Sequence, residues 1–137
     1  MNTLNKKYSI ILFIIIVIIS NILHNKTKTE DILKKEDIKI KIINFIHHIT
    51  SNYLYFGSIL FGYYKLHLTI IIFMFGLWYL TDDVCPVSTY VNKKTNQKYK
   101  TRFKDLAYHI ESYTKINLHY FLLIIIIFNI IMILKNN

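Results

Sequence analysis

The chain has one cysteine, one proline, one arginine and one alanine among its 137 residues, and only three glycines. Each scarcity excludes something. A lone cysteine, Cys85, excludes an internal disulfide and a four-thiolate zinc site. Alanine, arginine, glycine and proline share GC-rich codons. Their near-absence, with isoleucine, lysine, asparagine, tyrosine and phenylalanine in their place, marks a strongly AT-biased genome of the kind found in large DNA viruses, organelles and some protists. Isoleucine runs therefore carry little strand information here. Isoleucine is β-prone in water, but a lone strand in lipid leaves its backbone unsatisfied. The chain also lacks an A-x-A cleavage pattern behind its first apolar run, although Ser20 with Ile18 is a tolerable signal-peptidase site; a retained first helix is the expectation.

What is present is apolar and pooled. Hydrophobic residues make up 53% of the chain, against roughly 45–50% in soluble domains. They gather in "YSIILFIIIVIISNIL", "LHLTIIIFMFGLWYL" and "HYFLLIIIIFNIIMIL". The formal charge is +9. No nucleic-acid-binding motif accompanies it, so no nucleic acid is expected as a partner. In a membrane chain such charge sets orientation and attracts anionic lipid headgroups.

Residues 53–80 decide the number of crossings. As one helix they would extend about 42 Å, well beyond a hydrocarbon core of about 30 Å. Lys65 would then stand near the bilayer centre at about 2.5–3.5 kcal/mol on insertion scales. A hairpin turning near Lys65 avoids this, provided its first arm carries Asn44, His47, His48, Ser51 and Asn52. Four crossings divide the 17 basic residues four against thirteen, and three crossings divide them nine against seven with Lys65 left in the membrane. The positive-inside rule favours the steeper split. The expected fold is therefore all-α: a single polytopic domain over 1–137 with transmembrane helices at about 8–23, 43–64, 66–80 and 118–134. Its polar loops, 24–42 and 81–117, carry short interfacial helices and face the cytoplasm. Three crossings is the alternative. Tyr63, Tyr64, Trp78 and Tyr79 bracket the third helix as an aromatic belt.

Within the loops, Thr27 and Glu30 have capping-box spacing. Phe103, Leu106, Ala107, Ile110 and Tyr113 form an apolar stripe at helical spacing, and "NKKTNQKYK" reads as a polar turn. Asp82 and Asp83 stop the third helix at its inner edge, and Pro86 ends any helical continuation. Five of the six histidines, His24, His47, His48, His109 and His119, fall toward that inner side. The candidate site is the polar cluster His47, His48, Asp82, Asp83 and Cys85. Imidazole, carboxylate and thiolate together suit a transition metal, but the spacing fits no metal motif, and His47 and His48 point to different faces of one helix. No metal or cofactor is expected. Cys85 is also a candidate for palmitoylation. Ser58 and Gly62 form a small-xxx-small pair for close helix approach, and Asn129 and His67 are lone polar residues, each expected to hydrogen-bond a neighbour. There is no nucleophile–base pair, phosphate loop or carboxylate dyad.

Residues 43–92 resemble a family of small multi-helix membrane proteins of unknown function. The resemblance rests on His47 and His48, Gly57 and Gly62, Trp78, and then "CPVS", where the family has C-P-L-T; Val87 and Ser88 depart conservatively. Asn92 and Lys93 stand where an acidic residue often follows. Similar cysteine-centred motifs occur in small membrane proteins of giant DNA viruses. The resemblance implies helices and a membrane, and no activity. The expected role is structural, or as a partner of other membrane proteins, in an AT-rich large DNA virus and without enzymatic activity. The alternatives are an organelle-encoded accessory subunit of a respiratory complex, its histidines ligating haem, and a membrane oxidoreductase using Cys85.

Overall fold

A computed structural model describes residues 3–81, 85–98 and 103–136. Asp82 and Asp83 lie outside these described residues, as does the basic residue Arg102. The described residues form seven helices and no strand: α1 (Thr3–Lys26), α2 (Glu30–Lys35), α3 (Ile38–Phe61), α4 (Tyr64–Leu80), α5 (Pro86–Lys94), α6 (Leu106–Thr114) and α7 (Leu118–Lys135). The fold is all-α.

The helix ends follow from local chemistry rather than from hydropathy. Asp37 starts α3, its carboxylate accepting from the Ile40 N–H at 2.8 Å, so the helix begins in the polar loop well before the apolar stretch. Gly62 ends it in the left-handed conformation, φ 70°, which glycine adopts without strain. Only Gly62 and Tyr63 then separate α3 from α4, so the chain reverses just before Lys65. Gly62 is thus a terminator and not the second half of a packing pair with Ser58. Asp105 caps α6 by accepting from Tyr108 N–H, and Asn117 caps α7 by accepting from His119 N–H, both at 2.8 Å.

The loops differ from expectation in detail. α4 has ended at Leu80, as the expected break requires, and Pro86 itself opens a new helix, at the first position of α5, where its missing N–H and fixed φ fit. Residues 92–94 of the supposed polar turn are therefore helical. The Thr27–Glu30 capping box does not form: the Thr27 hydroxyl donates to the His24 carbonyl at 2.7 Å, and Thr29 stands at the N-cap of α2 without a side-chain bond. The expected helix forms from Leu106 onward as α6, with Phe103 in the irregular stretch ahead of it; Phe103 and Ala107 are buried, while Tyr113 faces outward.

Packing places α3 at the centre. It runs along α1 and also meets α4, α5, α6 and α7, and α4 runs along α7. The apolar core joins Leu54 and Tyr55 of α3, Ile71 of α4, Ala107 of α6, and Leu122 and Ile125 of α7. Lys6 lies 6.0 Å over the Tyr63 ring, and one shallow cleft is lined by Gly62–Leu66 together with Met132, Ile133 and Asn136. The start of α1, the α3–α4 turn and the end of α7 therefore share one end of the molecule.

Among the described residues one helix, over Asn5–Lys26, is by itself long and apolar enough to cross a membrane. Helix α4 is apolar but shorter at 17 residues, and α7 joins α6 through a bend of 112°. Four straight crossings are thus not given by helix length alone.

A buried polar clasp joins α3, α4 and α7. Asn129 Nδ2 donates to His67 Nδ1 at 2.9 Å, which puts the ring proton on Nε2, and Nε2 donates to the Tyr53 carbonyl at 2.9 Å. The two polar residues that stood alone in the sequence are each other's partners, both fully buried. A double-mutant cycle of His67→Leu and Asn129→Leu, read by unfolding in mixed detergent, should give a coupling of about 0.5–2 kcal/mol, the range for interhelical hydrogen bonds in apolar surroundings. Simple additivity of the two changes would sink the clasp.

Candidate functional site

Helical spacing builds a polar seam between α1 and α3. On α1, Val17, Ser20 and His24 recur at three- and four-residue steps; on α3, Asn44, His48 and Asn52 recur every four. Such steps return to one helix face, and all six side chains are buried where the helices meet. Ser20 Oγ lies 2.9 Å from His48 Nδ1 and accepts the Leu106 N–H at 2.9 Å, so one hydroxyl links α1, α3 and the start of α6. Asn52 Nδ2 donates to the His48 carbonyl at 2.7 Å.

Near this seam three imidazoles surround one phenyl ring. Phe103 is 4.1 Å, centroid to centroid, from His24 and stacked on it; it is 4.0 Å from His47 and 4.8 Å from His48. His24 and His48 are themselves 5.2 Å apart. Adjacent positions on α3 do point His47 and His48 in different directions, yet Phe103 is broad enough to touch both. Cys85, the N-cap of α5, brings its Sγ to 3.7 Å from His47 Nδ1. Within this cluster His24 Nδ1 and His48 Nε2 are buried ring nitrogens with no hydrogen-bond partner, as is His109 Nε2 elsewhere.

Of the sequence-derived cluster, the fold gathers His47, His48 and Cys85, and Asp82 and Asp83 lie outside the described residues. His24 joins them from α1. His119 instead sits against Phe75 and Trp78, and His109 beside Tyr108. Sequence reasoning missed two members. Ser20 had been weighed only as a cleavage site, although its four-residue step to His24 marks a shared face; Phe103 had been read only as part of an apolar interfacial stripe. Among the described residues, no three His, Cys, Asp or Glu side chains stand as placed around one point that a metal ion would fill.

Beside the cluster, the α1–α3 connection closes on an ion pair. Lys28 Nζ is 2.7 Å from Glu36 Oε1 and also donates to Asn25 Oδ1 at 2.9 Å, while Asn44 Nδ2 donates to Glu36 Oε1 at 2.9 Å. The two charged side chains are 6% and 2% exposed. Burial pushes the Lys28 ammonium below its ordinary 10.5, against the opposing pull of Glu36. The pair thus anchors Asn44 at the mouth of the seam while carrying a desolvation penalty of its own.

The chain matches no family model, no curated protein and no solved structure. The geometry alone must carry the functional reading.

Breaking a buried ion pair on one side costs about 3–5 kcal/mol because the other charge remains. Glu36→Gln, which keeps the acceptor for Asn44, should therefore destabilise by that order, and the double variant Lys28→Met/Glu36→Gln should recover most of the loss. The sign of the pH dependence follows from the lowered pKa. Folding favours neutral Lys28, so its penalty is complete below the folded-state value and disappears as pH rises toward 10.5. The stability difference between wild type and the double variant should shift toward wild type over that rise. A double variant no more stable than Glu36→Gln, or a pH-independent difference, would contradict the pairing.

Proposed function

We propose that the chain is a multi-pass integral membrane protein in which α1, α3, α4 and α7 each cross the bilayer. Its role is structural, as a helical scaffold that holds or recruits other membrane proteins, and not enzymatic. One observation carries the reading: the molecule is inverted relative to a water-soluble protein. Ser20, His48, Ser58, His67 and Asn129 are completely buried, whereas Ile14, Ile46, Ile72, Phe73, Ile124 and Ile131 are about half exposed or more, as are many of their apolar neighbours. The exposed aliphatics are distributed over all four long helices rather than gathered in one patch, and a partner-binding surface is a patch. Lipid is the solvent that such an exterior fits.

Two further features support four crossings. Asn44, His48 and Asn52, the polar residues that make α3 expensive as a crossing, are buried in the seam with α1 and need not meet lipid. The shared end formed by Lys6, Tyr63 and the last turn of α7 is where four crossings would bring the termini and the hairpin tip. By sequence the loops 24–42 and 81–117 carry thirteen of the 17 basic residues, so these loops face the cytoplasm in this reading. The AT-biased composition and the C-P-L-T-like motif favour a large DNA virus as the source. A second reading, an accessory subunit of a respiratory complex, is favoured by the imidazole cluster; a Soret band in the purified protein would support it.

The membrane reading is tested by extraction and labelling. The protein should remain in the pellet after alkaline carbonate treatment and require detergent. In a Cys85→Ser background, a cysteine at position 65 and one at position 94 should react with a membrane-impermeant maleimide from opposite sides. Recovery in the soluble fraction would end the membrane assignment. Labelling of both positions from one side would end the hairpin.

A further inference from the structure

We propose that the cleft between the α3–α4 turn and the last turn of α7 binds the headgroup of one anionic phospholipid, its phosphate held by the lysines of this end. The inference rests on the membrane reading and adds to it a specific lipid, away from the loops 24–42 and 81–117.

The first argument is charge. All eight aspartates and glutamates fall within 24–42 and 81–117, where they offset thirteen basic residues. The other four basic residues, Lys6, Lys7, Lys65 and Lys135, stand at the start of α1, the start of α4 and the end of α7. These three places share one end of the molecule. Among the described residues, that end carries lysines and no aspartate or glutamate. Lys65 lines the cleft, and Lys6 Nζ stands at its edge, 6.0 Å over the ring of Tyr63, another lining residue. The start of α4 adds to this field. Its N-cap, Tyr63, makes no side-chain hydrogen bond to the helix, and the first turn of a helix presents N–H groups and partial positive charge.

The second argument is the shape and lining of the cleft, which is open as it stands. Its volume of about 380 Å³ lies toward the lower end of the roughly 300–1,000 Å³ of small-molecule sites. That is room for a headgroup and not for its acyl chains. The lining is of two kinds. Tyr63, Tyr64, Lys65 and Asn136 bring hydrogen-bond donors, and Leu66, Met132 and Ile133 are apolar. A phosphodiester on glycerol matches both kinds, whereas inorganic phosphate matches only the first. The Tyr64 wall is held in place. Its ring meets Phe128 of α7 edge-on at 5.8 Å, and its hydroxyl would stand 3.8 Å from a Cβ added to Gly62. Acyl chains leaving the cleft have apolar surface beside them, since Leu66 and Leu134 are 56% and 71% exposed. The aromatic rings would also suit a quaternary ammonium, but lysines at the same cleft repel a cation.

The test uses the full chain purified in a non-ionic detergent, with bound lipids counted by native mass spectrometry. Wild type should bind one phosphatidylglycerol about tenfold more tightly than phosphatidylcholine. Lys6→Gln and Lys65→Gln should each weaken it about fivefold, the ordinary contribution of one lysine beside an anionic headgroup. Lys65→Arg should retain it, which separates loss of a contact from loss of the fold. Met132→Trp fills the cleft without changing the charge and should weaken binding by a similar factor. Lys93→Gln with Lys94→Gln, on α5, should leave this lipid unaffected. Millimolar inorganic phosphate, glycerol 3-phosphate or hexaglutamate should not displace it. Displacement by either phosphate would make the cleft a site for soluble anions, and displacement by hexaglutamate a site for an acidic protein segment; each overturns the proposal. So does equal binding of the two lipids, or wild-type binding by both Lys65→Gln and Met132→Trp. Binding in detergent does not depend on the number of crossings. A chain that passes extraction and labelling yet binds no lipid here fails this proposal alone.

Discussion

The hydroxyl of Ser20 is the interaction on which the rest of the structure turns. It has one partner on α3 and another at the first turn of α6, and it does so from a fully buried position. Without it, His48 and the N–H of Leu106 would both lack this partner inside an apolar mass, where an unmade hydrogen bond costs about 1–3 kcal/mol. The same hydroxyl fixes how α6 approaches, and with α6 comes the preceding segment that carries Phe103 between the imidazoles. A small polar atom thus orders three helices and an aromatic side chain that it does not itself touch.

A second polar lock works at greater distance from the loops. The His67–Asn129 pair holds α4 to α7 and, through the Tyr53 carbonyl, to α3. The two locks share α3, which explains why that helix is central although it carries many polar residues. In the proposed bilayer setting the burial of aliphatic surface would not discriminate one helix arrangement from another, because lipid and isoleucine offer much the same environment. Hydrogen bonds and close fit do discriminate. Gly57 leaves room on α3 for the Tyr53 ring of the same helix, which a Cβ would meet at 2.8 Å.

Hydropathy made the all-α class and the reversal near Lys65 legible, because apolar runs and an interrupting lysine are composition-level features. It could not place the helix ends. The run at 43–64 begins at Ile38 because Asp37 caps it, and stops at Phe61 because Gly62 takes a positive φ; both are single-residue effects. The site was legible as a list and not as a shape. His47, His48 and Cys85 were visible as polar residues at one end, but the convergence of His24 and Phe103 depends on contacts across as many as 79 positions of chain, from His24 to Phe103. That Pro86 also opens α5 was not legible, because a proline looks the same in sequence whether it ends a helix or begins one.

The division between an aliphatic exterior and a polar interior has an evolutionary consequence. Outward positions on α1 and α7 need only be apolar, so isoleucine, leucine, valine and phenylalanine are interchangeable there, and an AT-rich genome will drift among them freely. The inward polar positions have no such freedom, since each is half of a hydrogen bond or ring contact. The constrained part of this chain is therefore a sparse set of spaced residues: Ser20 and His24, then Asn44, His48 and Asn52, then His67 and Asn129. Divergent copies would keep that pattern of intervals long after their overall identity had fallen to the background shared by any two isoleucine-rich helices.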